Sequence, residues 1–155
     1  MTKTASRAAL LHVAVQDLHA GKLAQAERLP AIADAARGPE LRALLEGEAG
    51  RAKVQAERLA VAGGDMNGPG NLWIAGILDD AERDAGSHEP GPLLDVALVG
   101  AVRKAKAAEI VSGETARARA RVEGQAAIAA AVAANRDEEI AADRALKERL
   151  AALTS

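Results

Sequence analysis

The chain contains no cysteine, no phenylalanine and no tyrosine, and Trp73 is its single aromatic residue. Without thiols there can be no disulfide, no thiolate-held metal and no cysteine nucleophile. Without Phe and Tyr, a core has to be assembled from Leu, Val, Ile and Ala, which favours moderate rather than high stability. No charge of one sign dominates: 20 basic and 22 acidic residues are interspersed, for a net charge of −2. That balance offers no field for a polyanion, and nucleic acid is not an expected partner. Arg117, Arg119 and Arg121 alternate with alanine, but on a helix they fan across a solvated face. No segment approaches the ~20 apolar residues needed to cross a bilayer. The apolar run 8–15 is short, contains His12 and lacks a small-residue cleavage pattern, so it reads as the start of a helix and not as a signal peptide. A cytoplasmic protein with no membrane partner is expected. The few serines, at 6, 87, 112 and 155, have no neighbouring histidine and acid, so serine-based hydrolase or transferase chemistry is not expected.

What is abundant is alanine, at about 40 of 155 residues, the best helix former and a small one that lets helices pack closely. One all-α domain spanning residues 1–155 follows. Helix signals run over residues 6–36, 39–62, 72–84, 93–122 and 125–153, with no strand-like alternation. Pro30 is expected to kink or break the first helix. Gly38-Pro39 separates the first two helices, residues 63–70 form a loop without phosphate-binding spacing, and Gly124 parts the last two. The short helix is expected to carry Trp73, Ile74, Ile77 and Leu78 on a packing face and to cap the bundle.

The four long helices share an uncommon pattern: each inward stripe is apolar at its outer parts and polar in the middle. The first reads Leu11, Val15, Leu18, Lys22, Gln25, Leu29, alternating steps of four and three that keep one face. The second reads Leu41, Leu44, Glu48, Arg51, Gln55, Leu59; the third, Val99, Val102, Lys106, Glu109; the fourth, Ile128, Val132, Asn135, Glu139, Ala142, Leu146. Inward acids at mid-height of a four-helix bundle are the layout of carboxylate-bridged di-metal proteins. Here bases stand among the acids. His12 and His19 lie on a flank of the first helix and His88 lies in a loop, so none has an evident ligand partner.

These features, together with Leu29-Pro30, Pro39-Glu40-Leu41, Gln55 followed by Arg58-Leu59, Asp95 with Leu98, Glu109-Ile110, Gly124, and Glu138-Glu139 followed by Ala141-Ala142-Asp143, occur in family-like order over residues 11–150. In them the chain resembles the YciF-like family of ferritin-like stress proteins. The resemblance implies a four-helix bundle with a short helix in the crossover, usually paired as a homodimer, and a di-metal centre with carboxylates from all four long helices. The departures lie in that centre. Lys22 and Arg51 stand where the family has glutamates on the first two helices. The family's Glu-His-Tyr-Glu run is Lys106-Ala107-Ala108-Glu109, while Gln55, Glu139 and Asp143 remain.

Protonated Lys and Arg repel cations and cannot ligate them. The expected arrangement is therefore an internal charge cluster of Lys22, Arg51 and Lys106 against Glu48, Glu109 and Glu139, with Gln25, Gln55 and Asn135 as hydrogen-bond partners and no cofactor. Two other readings stand beside it. A small rotation of each helix would move these residues to the bundle edge or a dimer interface, and Gln55, Glu109, Glu139 and Asp143 could retain one ion. The leading functional expectation is a non-catalytic pseudo-ferritin, a stress-related structural or protein-interaction module. Its rivals are a di-metal or mono-metal oxidase or iron-handling protein with a reduced site, and an amphipathic helical coat on an apolar surface, against which the interrupted stripes and caps speak.

Overall fold

The computed structural model describes residues 3–155. Five helices follow one another: α1 Arg7–Ala35, α2 Pro39–Gly63, α3 Leu72–Ser87, α4 Pro92–Val122 and α5 Ala126–Leu153. Their ends are set by local chemistry. The Ser6 hydroxyl accepts from the Ala9 amide at 3.1 Å and opens α1, and the Asn71 side chain accepts from the Ile74 amide at 2.9 Å and opens α3. Pro39 and Pro92 occupy first-turn positions where a missing amide costs nothing. Between α4 and α5 the chain reverses at Gly124, whose φ of 67° suits glycine. There the Gln125 amide reaches the Ala120 carbonyl at 2.8 Å and the Gly124 amide reaches that of Arg121 at 3.2 Å, the paired bonds that close a helix C-terminus.

Helices α1 and α2 form one hairpin and α4 and α5 the other; α2 packs on α5, α1 on α4, and α3 lies across α1 and α4. The core comes in two apolar parts. One holds Leu29, Ile32, Leu41, Leu45, Leu98 and Leu146, with Ile74 and Leu78 of α3 packed into it. The other holds Leu11, Val15, Leu18, Leu59, Ile128 and Val132, with Ala116 and Ala120 allowing close approach. Between them every long helix contributes buried polar side chains: Lys22 and Gln25, Glu48 and Gln55, Lys106 and Glu109, Asn135 and Glu139. This is the ferritin-like bundle with its short crossover helix.

Three local expectations are corrected. The break allowed for at Pro30 does not occur: helix α1 is continuous through it to Ala35, with the proline facing solvent while Leu29, Ile32 and Ala33 around it are anchored in the core. On α2 the buried residue is Leu45, with Leu44 half-buried, so the inward stripe is Leu41, Leu45, Glu48, Ala52, Gln55, Leu59. On α3 the packing face is Ile74, Leu78 and Ala81, which leaves Trp73 79% exposed, and the helix continues to Ser87. No helix among the described residues is long and apolar enough to cross a membrane.

The revised stripe on α2 can be measured. Leu45→Ala should cost about 2–5 kcal/mol in a urea melt, as for a fully buried leucine, whereas Leu44→Ala should cost less than about 1.5 kcal/mol. Equal losses would contradict the register.

Candidate functional site

At mid-height the two lysine ammoniums sit inside a frame of three carboxylates. Lys22 Nζ lies 2.5 Å from Glu109 Oε2 and 3.1 Å from Glu139 Oε1. Lys106 Nζ lies 2.7 Å from Glu48 Oε2 and 3.0 Å from Glu139 Oε2, and donates to Gln25 Oε1 at 3.2 Å. Glu139 therefore bridges the two cations with one oxygen each. Both lysines are 1% exposed, and Glu48, Glu109 and Glu139 are 5%, 4% and 1% exposed. On α1 positions 22 and 25, and on α4 positions 106 and 109, fall one turn apart on the inward stripe, and α2 and α5 bring Glu48 and Glu139 to the same level.

Arg51 stands elsewhere than expected. Its side chain is 40% exposed, and its guanidinium reaches in from the rim to Glu48 one turn before it. A helix turns 100° per residue, so Ala52 takes the inward place and Arg51 the edge. The core thus holds two bases against three acids, and the third base completes the balance from the rim.

The electrostatics follow from this count. Burial works against the charge of Lys106, but Glu139, Glu48 and Glu109 outweigh it and hold the ammonium pKa above its ordinary value. Burial likewise disfavours the Glu139 carboxylate, yet Lys106 and Lys22 pull its pKa down to about 2. Glu109 goes the other way: burial raises it, repulsion by Glu139 adds to that, and Lys22 offsets only part. Its Oε1 is buried with no hydrogen-bond partner. Glu109 is the anion held least firmly in the cluster.

The remaining candidates fall outside the frame. Gln55 is buried, but its amide donates to Glu138 Oε2 at 2.9 Å. It belongs to a half-buried group in which Arg58 forks onto Glu138 at 2.9 and 3.1 Å and bonds Asn135 Oδ1 at 2.6 Å. Burial opposes the Glu138 charge, and the bonds from Arg58 and Gln55 outweigh it, so its pKa is lowered. Asp143 is taken by Arg103, at 2.7 and 3.2 Å, at the α4–α5 edge. His12 meets Gln16, and His88 meets Ser87 and the Asp84 carbonyl, both away from the frame. Burial lowers the His19 pKa. Sequence reasoning missed Asp95 as a structural anchor: buried on α4, it accepts the Arg37 and Gly38 amides at 2.7 and 2.8 Å and fixes the α1–α2 link. Its partners are backbone groups, which no side-chain pattern announces.

The donor set does not fit a pair of metal ions. Of the six carboxylate oxygens of Glu48, Glu109 and Glu139, four are already on ammonium nitrogens and one is on the Arg51 guanidinium. Among the described residues no group of three or more histidines and acids is placed to hold a metal ion.

Fold and polar centre define a ferritin-like helical bundle. The chain belongs to the family described as a domain of unknown function, DUF892, whose profile matches residues 6–155. Its fold matches that of the Escherichia coli stress protein YciF with a TM-score of 0.93, at 18% identity over 97% of this chain and 98% of that one. It also matches YcfI from Rhodopseudomonas palustris, for which a structural role has been suggested, with a TM-score of 0.87 at 24% identity over 92% and 94% of the two chains. No curated protein matches the sequence.

The buried Lys22–Glu109 ion pair is testable by a double-mutant cycle. Lys22→Met should cost roughly 3–5 kcal/mol, and adding Glu109→Gln should recover part of it, with coupling above ~1 kcal/mol. Coupling near zero would remove the pair from the stability of the fold.

Acid titration tests the bridging carboxylate. Because the folded pKa of Glu139 is depressed from 4.5 to about 2, its stabilisation is complete above about pH 4.5 and is lost as pH falls through about 2. Glu109, being raised, has the opposite sign and favours the folded state as it takes up a proton. Urea midpoints should therefore drop below about pH 4.5, and the drop should be shallower in Glu139→Gln. Parallel acid limbs would contradict the assignment.

Proposed function

We propose that this chain is a non-catalytic member of its family, a stress-associated structural or protein-interaction module that acts as a cytoplasmic homodimer. Its core is closed by two lysine ammoniums in place of two metal ions. The observation that carries this reading is the bridge: Glu139 spans Lys22 and Lys106 with one oxygen each, while Glu109 and Glu48 complete one cation apiece. A protonated amine supplies the positive charge that the carboxylates require, but it has no open coordination position and no second redox state. Oxidase chemistry needs both. The stress-protein and structural descriptions attached to the two similar structures agree with such a role.

A residual one-ion site would have to draw on Gln55 and Asp143. Those side chains are engaged by Glu138 and Arg103, so recruiting them would break existing bonds and leave Lys22 and Lys106 beside the ion.

Protein purified without chelator should carry fewer than about one iron or manganese per chain, and its melting temperature should not move on addition of EDTA. Two ions per chain surviving dialysis, with a melting temperature that falls on chelation, would replace this reading by the metal-handling one.

A further inference from the structure

Outside the charge frame, a groove of about 470 Å³ opens between α1, α3 and α4, within the size range of small-molecule sites. Its walls include Trp73, Ile74 and Val111, and its polar side chains are Asp17, Asn71, Ser112 and Glu109; no lysine, arginine or histidine lines it. Trp73, the only aromatic residue of the chain, stands 79% exposed beside it. An indole held in water at the mouth of an acid-bearing groove is not explained by packing, since Ile74 and Leu78 already anchor α3.

Of the two carboxylates in this groove, Asp17 has no cation and Glu109 has one on a single oxygen. Asp17 accepts only from the Asn71 amide, at 3.1 Å, and burial raises its pKa. Glu109 is 4% exposed, spends Oε2 on Lys22, and leaves Oε1 buried without a partner. A buried carboxylate oxygen with nothing to accept from is costly, and a charge-assisted donor would relieve it. The apolar walls argue against a bare metal ion, which demands several oxygen donors. The acids argue against a neutral or anionic ligand. A cation with an apolar body satisfies both, because its charge meets the acids and its body lies along the indole, whose face attracts cations as well.

We infer that the groove between α1, α3 and α4 binds a small primary alkylammonium, with its charge between Asp17 and Glu109 and its chain along Trp73, Ile74 and Val111. The site is separate from the ion-paired centre but touches it through Glu109, which serves both.

Trp73 is the only fluorophore of its kind in the chain, so titration of the whole protein with n-hexylammonium reads the site directly. The expected result is a saturable change in Trp73 emission. Hexanol and hexanoate, of equal length but neutral and anionic, should bind at least about tenfold more weakly. Asp17→Asn should weaken hexylammonium binding about tenfold or more by removing one charge-assisted contact. Ala107→Leu, at an exposed position on the groove wall, should weaken it by occupying volume. Circular dichroism should show both variants folded, and the comparison of the three probes needs no variant at all. A response that does not saturate, equal affinity for hexanol, or unchanged affinity in folded Asp17→Asn would each overturn the inference.

Discussion

An ammonium buried away from water costs several kcal/mol unless its charge is met, and this bundle buries two of them at its centre. The rest of the architecture follows from meeting those charges. Lys22 comes from α1 and Lys106 from α4, and their partners come from α2, α4 and α5. A slip of any one helix by a turn, about 5.4 Å, would strand a charge in a low-dielectric interior where unpaired groups are most expensive. Apolar packing between alanine-rich helices has little such selectivity, since small side chains tolerate sliding. Registry therefore rests on the polar layer, and adhesion rests on the two apolar clusters at either side of it.

The charge count also accounts for how few acids are present. A pair of divalent ions carries about four positive charges and calls for many oxygen donors; two ammoniums carry two, and three internal carboxylates already exceed them by one. The excess is absorbed in two ways. Arg51 adds a rim charge at Glu48, and the Glu109 carboxyl, raised by burial and by Glu139, is the one that most readily gives up its charge. Acids at positions 22 and 106 without a metal would put five carboxylates together with only the rim charge of Arg51 to meet them. The two lysines and the small number of internal acids are thus matched to one another in charge.

Much of this was legible in the sequence, and the misses share a cause. The stripes on α1, α4 and α5 place leucines, valines and the inward charged residues on one face without ambiguity, and those residues are buried. On α2 the choice between steps of three and four is decided by Leu44 against Leu45 and Arg51 against Ala52. Alanine gives no signal there, because it is as common on the outside of these helices as within. Periodicity alone therefore gives a stripe that drifts outward at two positions and carries Arg51 inward, where the structure has Leu45 and Ala52. The size of Trp73 suggests burial, but the ring lies one residue, hence about 100°, away from the stripe through Ile74, Leu78 and Ala81. The pairing of each lysine with particular acids could not be read from periodicity. Spacing along a helix says which face a side chain takes, while the partner across the bundle depends on how the helices meet.

The outward tryptophan and the inward lysines are linked through Glu109, which lines the same groove as Trp73 and pairs with Lys22. The one aromatic ring stays outside the bundle, where α3 crosses α1 and α4. That crossing leaves the groove open down to Glu109, whose other oxygen is 2.5 Å from Lys22. A positive charge brought to Glu109 from outside would stabilise its carboxylate and oppose the ammonium of Lys22 on its far side. Through Glu139 the effect would extend to Lys106, since one carboxylate bridges both lysines. The most weakly held anion of the core is thus also the one that lines the groove, so a charge bound there would act electrostatically on the layer that fixes the register of all four long helices.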